Sequence, residues 1–253
     1  MKRYNKDLVK LRFEHSFPTY DSHATVQKEM AENLTNYIFA ACGEHYKNVL
    51  EIGCGTGFLT RHIINDLKIK KLLINDISPE VISYIEKITP YCSYIIGDME
   101  SITFDSKFDI ITSNAAFQWA EDLETMVNRF HNILRPNGVL AFTTFGERNF
   151  EQMTKIADRK LMYKSTQDLS KMFDGFEIKI LKEEIKEMNF KTPVDVLRHI
   201  KNIGANAIAS EFWTKGGLKD FETKYKELFS TENGVVLTYQ PIYVVLKKIP
   251  KIL

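Results

Sequence analysis

No window of this 253-residue sequence holds the roughly 18 apolar residues in a row that a membrane-spanning helix needs. The opening stretch MKRYNKDLVKLRFEHSF also lacks the continuous apolar run of a signal peptide, so a cytoplasmic location and no membrane partner are expected. Cysteine is scarce. Cys42, Cys54 and Cys92 are odd in number and lack ligand spacing, which argues against a disulfide framework or a zinc site. The six histidines are scattered along the chain, and no metal is expected. Neither sign of charge prevails: 34 Lys and Arg face 33 Asp and Glu, a formal net charge of +1. Such a balance creates no global field for nucleic acid or a membrane surface. A basic stripe and an N-P-P-Y-like base-flipping segment are absent too, so nucleic-acid chemistry is not expected.

What is present is an ordinary globular composition, 44% hydrophobic and 26% charged, able to bury one sizeable core. A polar arm over 1–22 precedes a helix near Ala24–Ala41, where Val26, Met30, Leu34, Tyr37, Ile38 and Ala41 fall on one face. Short apolar strands then alternate with helical segments. Strands read at Asn48–Ile52, Lys71–Asn75, Tyr91–Ile96, Phe108–Thr112 and Gly138–Thr144. That rhythm means an α/β fold with a parallel sheet covered on both faces. Beyond Thr144 the pattern loosens to a strand at Phe176–Glu184, helices at Val194–Ile203 and Leu218–Phe229, and a closing strand-like run Val235–Leu246. The expected organisation is an arm (1–22), a ligand-binding core (23–185), a helical lid insert (186–232), and a final core strand with a tail (233–253).

Four segments at the carboxyl ends of consecutive strands carry the chemistry, where open α/β sheets bind ligands. The first is Glu51-Ile52-Gly53-Cys54-Gly55-Thr56-Gly57. Its glycines permit a sharp turn and close approach of a ligand, yet Phe58 occupies the third glycine position of a dinucleotide fingerprint. The loop suits a nucleoside with an amino-acid tail better than a pyrophosphate; a plain tight turn is the alternative. The second is Asp76, 19 residues past Gly57 and followed by Ile77, placed to accept from two ribose hydroxyls, or else to cap the next helix in competition with Ser78. The third is Gly97-Asp98-Met99, an acceptor for an adenine amine with apolar faces from Met99 and Ile77, or a simple turn. The fourth is Ser113-Asn114-Ala115-Ala116-Phe117-Gln118-Trp119, whose small residues leave room for a cation and whose aromatic rings could face it or belong to the core.

These segments resemble class I S-adenosylmethionine-dependent methyltransferases, and more narrowly the BioC family, the malonyl-[acyl-carrier-protein] O-methyltransferases of biotin synthesis. The narrower resemblance rests on Arg12-Phe13, Tyr20-Asp21, His23-Ala24 and Gln27, on Ser113–Trp119, and on Ala141-Phe142-Thr143-Thr144. It extends through Leu197, Ile200-Lys201 and Ile203-Gly204-Ala205 to Leu237-Thr238-Tyr239, and so covers nearly the whole chain. It implies a Rossmann-like seven-stranded sheet of order 3-2-1-4-5-7-6, last strand antiparallel, with S-adenosylmethionine as cofactor and S-adenosylhomocysteine as product. It further implies that Tyr20 and Gln27 close over the cofactor, Glu51, Gly53 and Gly55 take the methionine part, and Asp76 the ribose. Ile77, Asp98 and Met99 would take the adenine, with Asn114 and Phe117 near the sulfonium. Pro241, Val244 and the tail Lys247–Leu253 depart from the family's pattern in the final strand.

The implied reaction is methyl transfer to the free carboxylate of a malonyl thioester, on an acyl-carrier protein or coenzyme A, by a monomer. A carboxylate is already ionised at neutral pH, so no general base is expected, and Tyr20, Gln118 and Trp119 are the expected substrate-orienting residues. Arg198 and Lys201, three apart on one helical face, are candidates to contact an acidic carrier protein, or are simply a solvated face. Methylation of a quinone or another carboxylic acid, or cofactor binding without turnover, are the competing functions.

Overall fold

The apolar runs that alternate with glycine and polar punctuation become the centre of a seven-stranded sheet. The computed structural model describes residues 5–157, 163–205 and 215–250. Residues 1–4 of the expected arm, 206–214 of the expected lid and 251–253 of the tail lie outside them. In chain order the strands are β1 (His45–Ile52), β2 (Lys68–Asp76), β3 (Ser93–Ile96), β4 (Phe108–Ser113), β5 (Leu134–Phe145), β6 (Phe176–Glu183), β7 (Lys186–Phe190), β8 (Ser230–Thr231), β9 (Gly234–Tyr239) and β10 (Pro241–Lys248). The helices are α1 (Lys6–His23), α2 (Thr25–Cys42), α3 (Phe58–Asp66), α4 (Val81–Ile85), α5 (Leu123–Ile133), α6 (Glu151–Ala157), α7 (Thr166–Ser170), α8 (Pro193–Asn202) and α9 (Lys215–Phe229).

The larger sheet has the order β3-β2-β1-β4-β5-β10-β6. With β10 counted as its seventh strand, this is the expected 3-2-1-4-5-7-6 arrangement, and β10 runs antiparallel to β6. Contacts divide the chain into two units: Met1–Ala24, Phe145–Lys164 and Glu184–Pro241 form one, and Thr25–Thr144, Ser165–Glu183 and Ile242–Leu253 the other.

In the sheet-bearing unit, α5 shows how local sequence becomes packing. Asp122 caps it by accepting the amide of Thr125, and Leu123, Met126, Val127 and Phe130 then recur at helical spacing and are all buried. They meet Leu50, Ile52, Ile111, Leu140 and Phe142 from the sheet in one continuous apolar cluster. The parallel register pairs Ile52 with both Asn75 and Ser113, Asp76 with Ile96, and Ser113 with Phe142. Gly53, Ile77, Gly97 and Asn114, which follow the last residues of β1, β2, β3 and β4, therefore lie together at the carboxyl end of the sheet.

Three features add detail to the expected organisation. The arm contains an 18-residue helix, α1, capped by Asn5 and carrying Pro18 inside it. The closing run Val235–Leu246 is two strands in two sheets, because Pro241 has no amide to donate and the chain changes partners at Gln240. The stretch expected to be a helical lid insert also holds β7 and β8, which pair with β9 in a three-stranded antiparallel sheet.

In the other unit, a capping box opens α8: Thr192 accepts from the amide of Asp195, whose carboxylate in turn accepts from the amide of Thr192, with Pro193 in the first turn. Just past α8, Gly204 takes a left-handed φ of +69° against α1, where a Cβ would come 2.8 Å from Ser16 Oγ and 2.9 Å from Phe13 Cδ1. The Thr19 hydroxyl bridges the same two elements by donating to the carbonyl of Asn202 at 3.1 Å.

His199 of α8 is buried, 2.6 Å from the hydroxyl of the fully buried Tyr239. Burial, helped by the nearby His23, pushes its pKa down to about 4. The folded ring thus stays neutral while an unfolded histidine takes up a proton near its ordinary value. Stability is unaffected by this group above about pH 6.5 and falls as pH drops from there toward 4, with about 2 kcal/mol lost at pH 5. Urea unfolding at pH 7.5 and pH 5 should show that loss in the wild type and a clearly smaller one in His199→Gln. Equal pH slopes would contradict it.

Candidate functional site

The glycine loop leaves β1 through Gly53, Gly55 and Gly57, all at positive φ (66°, 53° and 89°). A Cβ on Gly53 would lie 2.5 Å from the Ala116 Cβ, whereas one on Gly55 would meet nothing within 4 Å. The loop is therefore tight against the fourth segment at Gly53 and open at Gly55. Gly57 ends the turn and leads directly into α3.

Asp76 holds the loop's shape. Its Oδ2 accepts from the amide of Gly55 at 3.0 Å and its Oδ1 from the amide of Ser78 at 2.9 Å. The Cys54 thiol also points toward Oδ2, at 3.9 Å. Burial pushes the carboxyl's pKa up, opposed by the amides of Ser78 and Gly55. Ser78 lies in the turn before α4, where its hydroxyl accepts from the amide of Glu80 at 3.2 Å, and that helix has no side-chain cap. Beside Asp76, Asn75 donates to the carbonyls of Ile95 and Gly97, both at 2.9 Å, and so fixes the turn that presents Asp98. Asp98 Oδ1 accepts from the amide of Glu100 at 3.0 Å. Ile77 and Met99 are half-buried, and Met99 packs against the core.

Glu51 is buried under the loop and accepts a 2.7 Å hydrogen bond from the Thr60 hydroxyl. Burial raises its pKa to about 8, with Thr60 opposing and Asp76 adding to the rise.

The fourth segment is pinned by polar side chains. Asn114 Nδ2 donates to the carbonyl of Gln27 at 2.9 Å, joining α2 to the end of β4. Gln118 Nε2 donates to the carbonyl of Ala115 at 2.6 Å. Phe117, in the short 3₁₀ turn Phe117–Trp119, packs its ring in the core on Phe130 and Phe142, centroids 5.7 and 4.7 Å away. Trp119 is half-buried at the end of that turn. Three buried oxygens here, Gln27 Oε1, Gln118 Oε1 and Ser113 Oγ, have no hydrogen-bond partner among the described residues. A buried acceptor left unmatched is costly, so the cluster fits a ligand that brings N–H donors or positive charge. Sequence reasoning missed Asn75, Thr60 and Thr143 as supports; only the polarity of Thr143 in an apolar strand could have signalled one.

The remaining expected site residues lie in the other unit. Tyr20 is half-buried on α1, its ring 6.4 Å from that of Phe13. Arg198 and Lys201 are exposed on α8, and Arg198 pairs with Asp195 at 2.7 Å. Among the described residues, no group of three or more His, Cys, Asp or Glu could hold a metal ion, and no helix is long and apolar enough to cross a membrane.

Residues 50–142 match the family described as a methyltransferase domain. Over nearly its whole length the chain is similar to the malonyl-[acyl-carrier protein] O-methyltransferase of Chlorobium luteolum, at 34% identity with 96% of each chain covered. The enzyme of the same name from Porphyromonas gingivalis is 35% identical, with 98% of each covered. Among solved structures, the plantazolicin methyltransferase BpumL in complex with SAH superposes with a TM-score of 0.58 at 16% identity, over 96% of this chain and 94% of that one, a likeness of fold.

Proposed function

The chain belongs to the malonyl-[acyl-carrier protein] O-methyltransferase family, and from that premise we propose that it methylates the free carboxylate of malonyl-acyl-carrier protein with S-adenosylmethionine. The observation that carries this reading is the similarity itself, which covers 96% and 98% of this chain in the two relatives named above. The ester formed would serve biotin synthesis.

The cofactor supplies, when bound, an electrophilic methyl group on a sulfonium. Its fit to these residues is supported by the acceptor-rich cluster of Gln27, Gln118 and Ser113, which favours a cationic ligand, and by the open space at Gly55. Gly53 and Gly55 would admit the methionine part beside Glu51 and Gln27. Asp76, already oriented by two backbone amides, would accept from the ribose diol, while Asp98, Ile77 and Met99 would frame the adenine. Asn114 would lie near the methyl-bearing end.

The substrate carboxylate is a nucleophile without help, so the residues need only hold it in line and keep it there. Alignment of two bound reactants contributes roughly 7–11 kcal/mol in favourable cases. Tyr20, Gln118 and Trp119 are the proposed orienting groups. Gln118 commits its amide nitrogen to the carbonyl of Ala115, so in this role it would turn that donor toward the carboxylate. Arg198 and Lys201 are the proposed contacts for an acidic carrier, by the charge complementarity that steers such encounters.

Incubation of the purified chain with S-adenosylmethionine and malonyl-acyl-carrier protein should yield the malonyl methyl ester, read by mass spectrometry of the intact carrier. Malonyl-CoA and the unloaded carrier form the other arms. Cofactor binding without ester on any malonyl thioester would overturn the proposed reaction.

A further inference from the structure

Strand β5 is apolar from Val139 to Phe142 and then carries Thr143 and Thr144, both buried, before its last residue, Phe145. Thr143 is fully buried, and a hydroxyl there is costly unless it is matched. Its oxygen donates to Asn114 Oδ1 at 2.7 Å and accepts from the amide of Ala115 at 2.9 Å. We propose that this hydroxyl is a positioning group for methyl transfer: it sets the orientation of the Asn114 amide and the turn at Ala115, and through them the wall against which the cofactor's methyl-bearing end is held. This rests on the function proposed above.

The hydrogen-bond directions leave one arrangement. The carbonyl of Gln27 can only accept, so Asn114 must turn its nitrogen toward it. The Asn114 oxygen then faces Thr143, which must give it its single proton. The lone pairs that remain on Thr143 receive the Ala115 amide. Each member fixes the next. The turn so held is unusual, since Ala115 has a φ of +51°, in the left-handed region that alanine seldom occupies. Its carbonyl is taken by Gln118 Nε2, so side chains grip both polar groups of this residue. The next residue, Ala116, sits where any Cβ on Gly53 would come to 2.5 Å. The hydroxyl therefore governs the seam between the glycine loop and the fourth segment. Valine in its place keeps the volume and removes both bonds.

S-adenosylhomocysteine binding by calorimetry, together with turnover, tests the assignment. Thr143→Val should weaken binding at least tenfold, and Thr143→Ser should stay within threefold of the wild type because the hydroxyl survives. Asn114→Ala should show a similar loss, and the double variant T143V/N114A should be no more than threefold weaker than N114A, since both act through one network. Thr143→Ala carries the same expectation where the valine variant does not fold. Wild-type affinity in T143V, a serine variant as weak as valine, or fully additive losses would each overturn the proposal. The affinity is read without an acyl substrate, so a chain that binds the cofactor but forms no malonyl ester counts against the proposed reaction and leaves this test intact. A wild type that does not bind S-adenosylhomocysteine overturns both.

Discussion

Replacing Asp76 by alanine should weaken S-adenosylmethionine binding about a hundredfold or more. Two losses combine. The proposed bonds from the ribose hydroxyls to a charged acceptor are worth about 1.5–3 kcal/mol. The same substitution frees the amides of Gly55 and Ser78, which the carboxylate now holds at 3.0 and 2.9 Å, so the loop no longer waits in its binding shape. A combined cost of about 3 kcal/mol corresponds to roughly two decades in affinity. Asparagine should do little better than alanine, because one of its two terminal atoms is a donor and would face either an N–H already aimed at it or the diol. Calorimetry on both variants decides the matter. An Asp76→Asn protein that binds within threefold of the wild type would move the sugar away from this carboxylate.

Gly53→Ala and Gly55→Ala should fail in different ways. At Gly53 a side chain costs about 1–2 kcal/mol for the left-handed backbone. It adds overpacking of roughly 1–3 kcal/mol, because the Ala116 Cβ would lie only 2.5 Å away. Thermal unfolding should record a loss of about 3 kcal/mol, and cofactor affinity should fall with it as the fourth segment is pushed aside. At Gly55 the backbone conformation is similar but the space is open. There the fold should lose about 1–2 kcal/mol, from the backbone alone, while the new methyl group occupies the place proposed for the methionine tail and binding falls sharply. If both variants lost stability equally and binding equally, the distinction between seam and opening would be wrong.

The larger sheet was legible because its strands announce themselves locally. Asn48–Ile52 and Phe108–Thr112 are short apolar runs with turn chemistry after them, and their residues lie in β1 and β4. The glycine loop, Asp76 and Asp98 could be placed for the same reason: each ends such a run. The helix α1 was less visible because its buried residues are only Val9, Ser16 and Phe17, too sparse for a stripe, and Pro18 interrupts it. The division of the closing run into β9 and β10 depends on which strands accept it, a matter of pairing partners far away in sequence. The side to which Phe117 turns was not legible, because an aromatic side chain after a strand can turn either way, and the 3₁₀ turn puts it in the core. Thr143 is the instructive omission. Its role lies wholly in bonds to residues 28 and 29 positions earlier, and no local pattern records them.

The order of the larger sheet has a consequence for self-association. One flank ends in β3, only four residues long, and the other in β6, which carries Glu177, Lys179, Lys182 and Glu183 among its eight. A brief ladder and a charged one are both poor templates for a strand from a second copy. Protection against edge-to-edge growth is thus carried at the two rims, by residues that the reaction does not use.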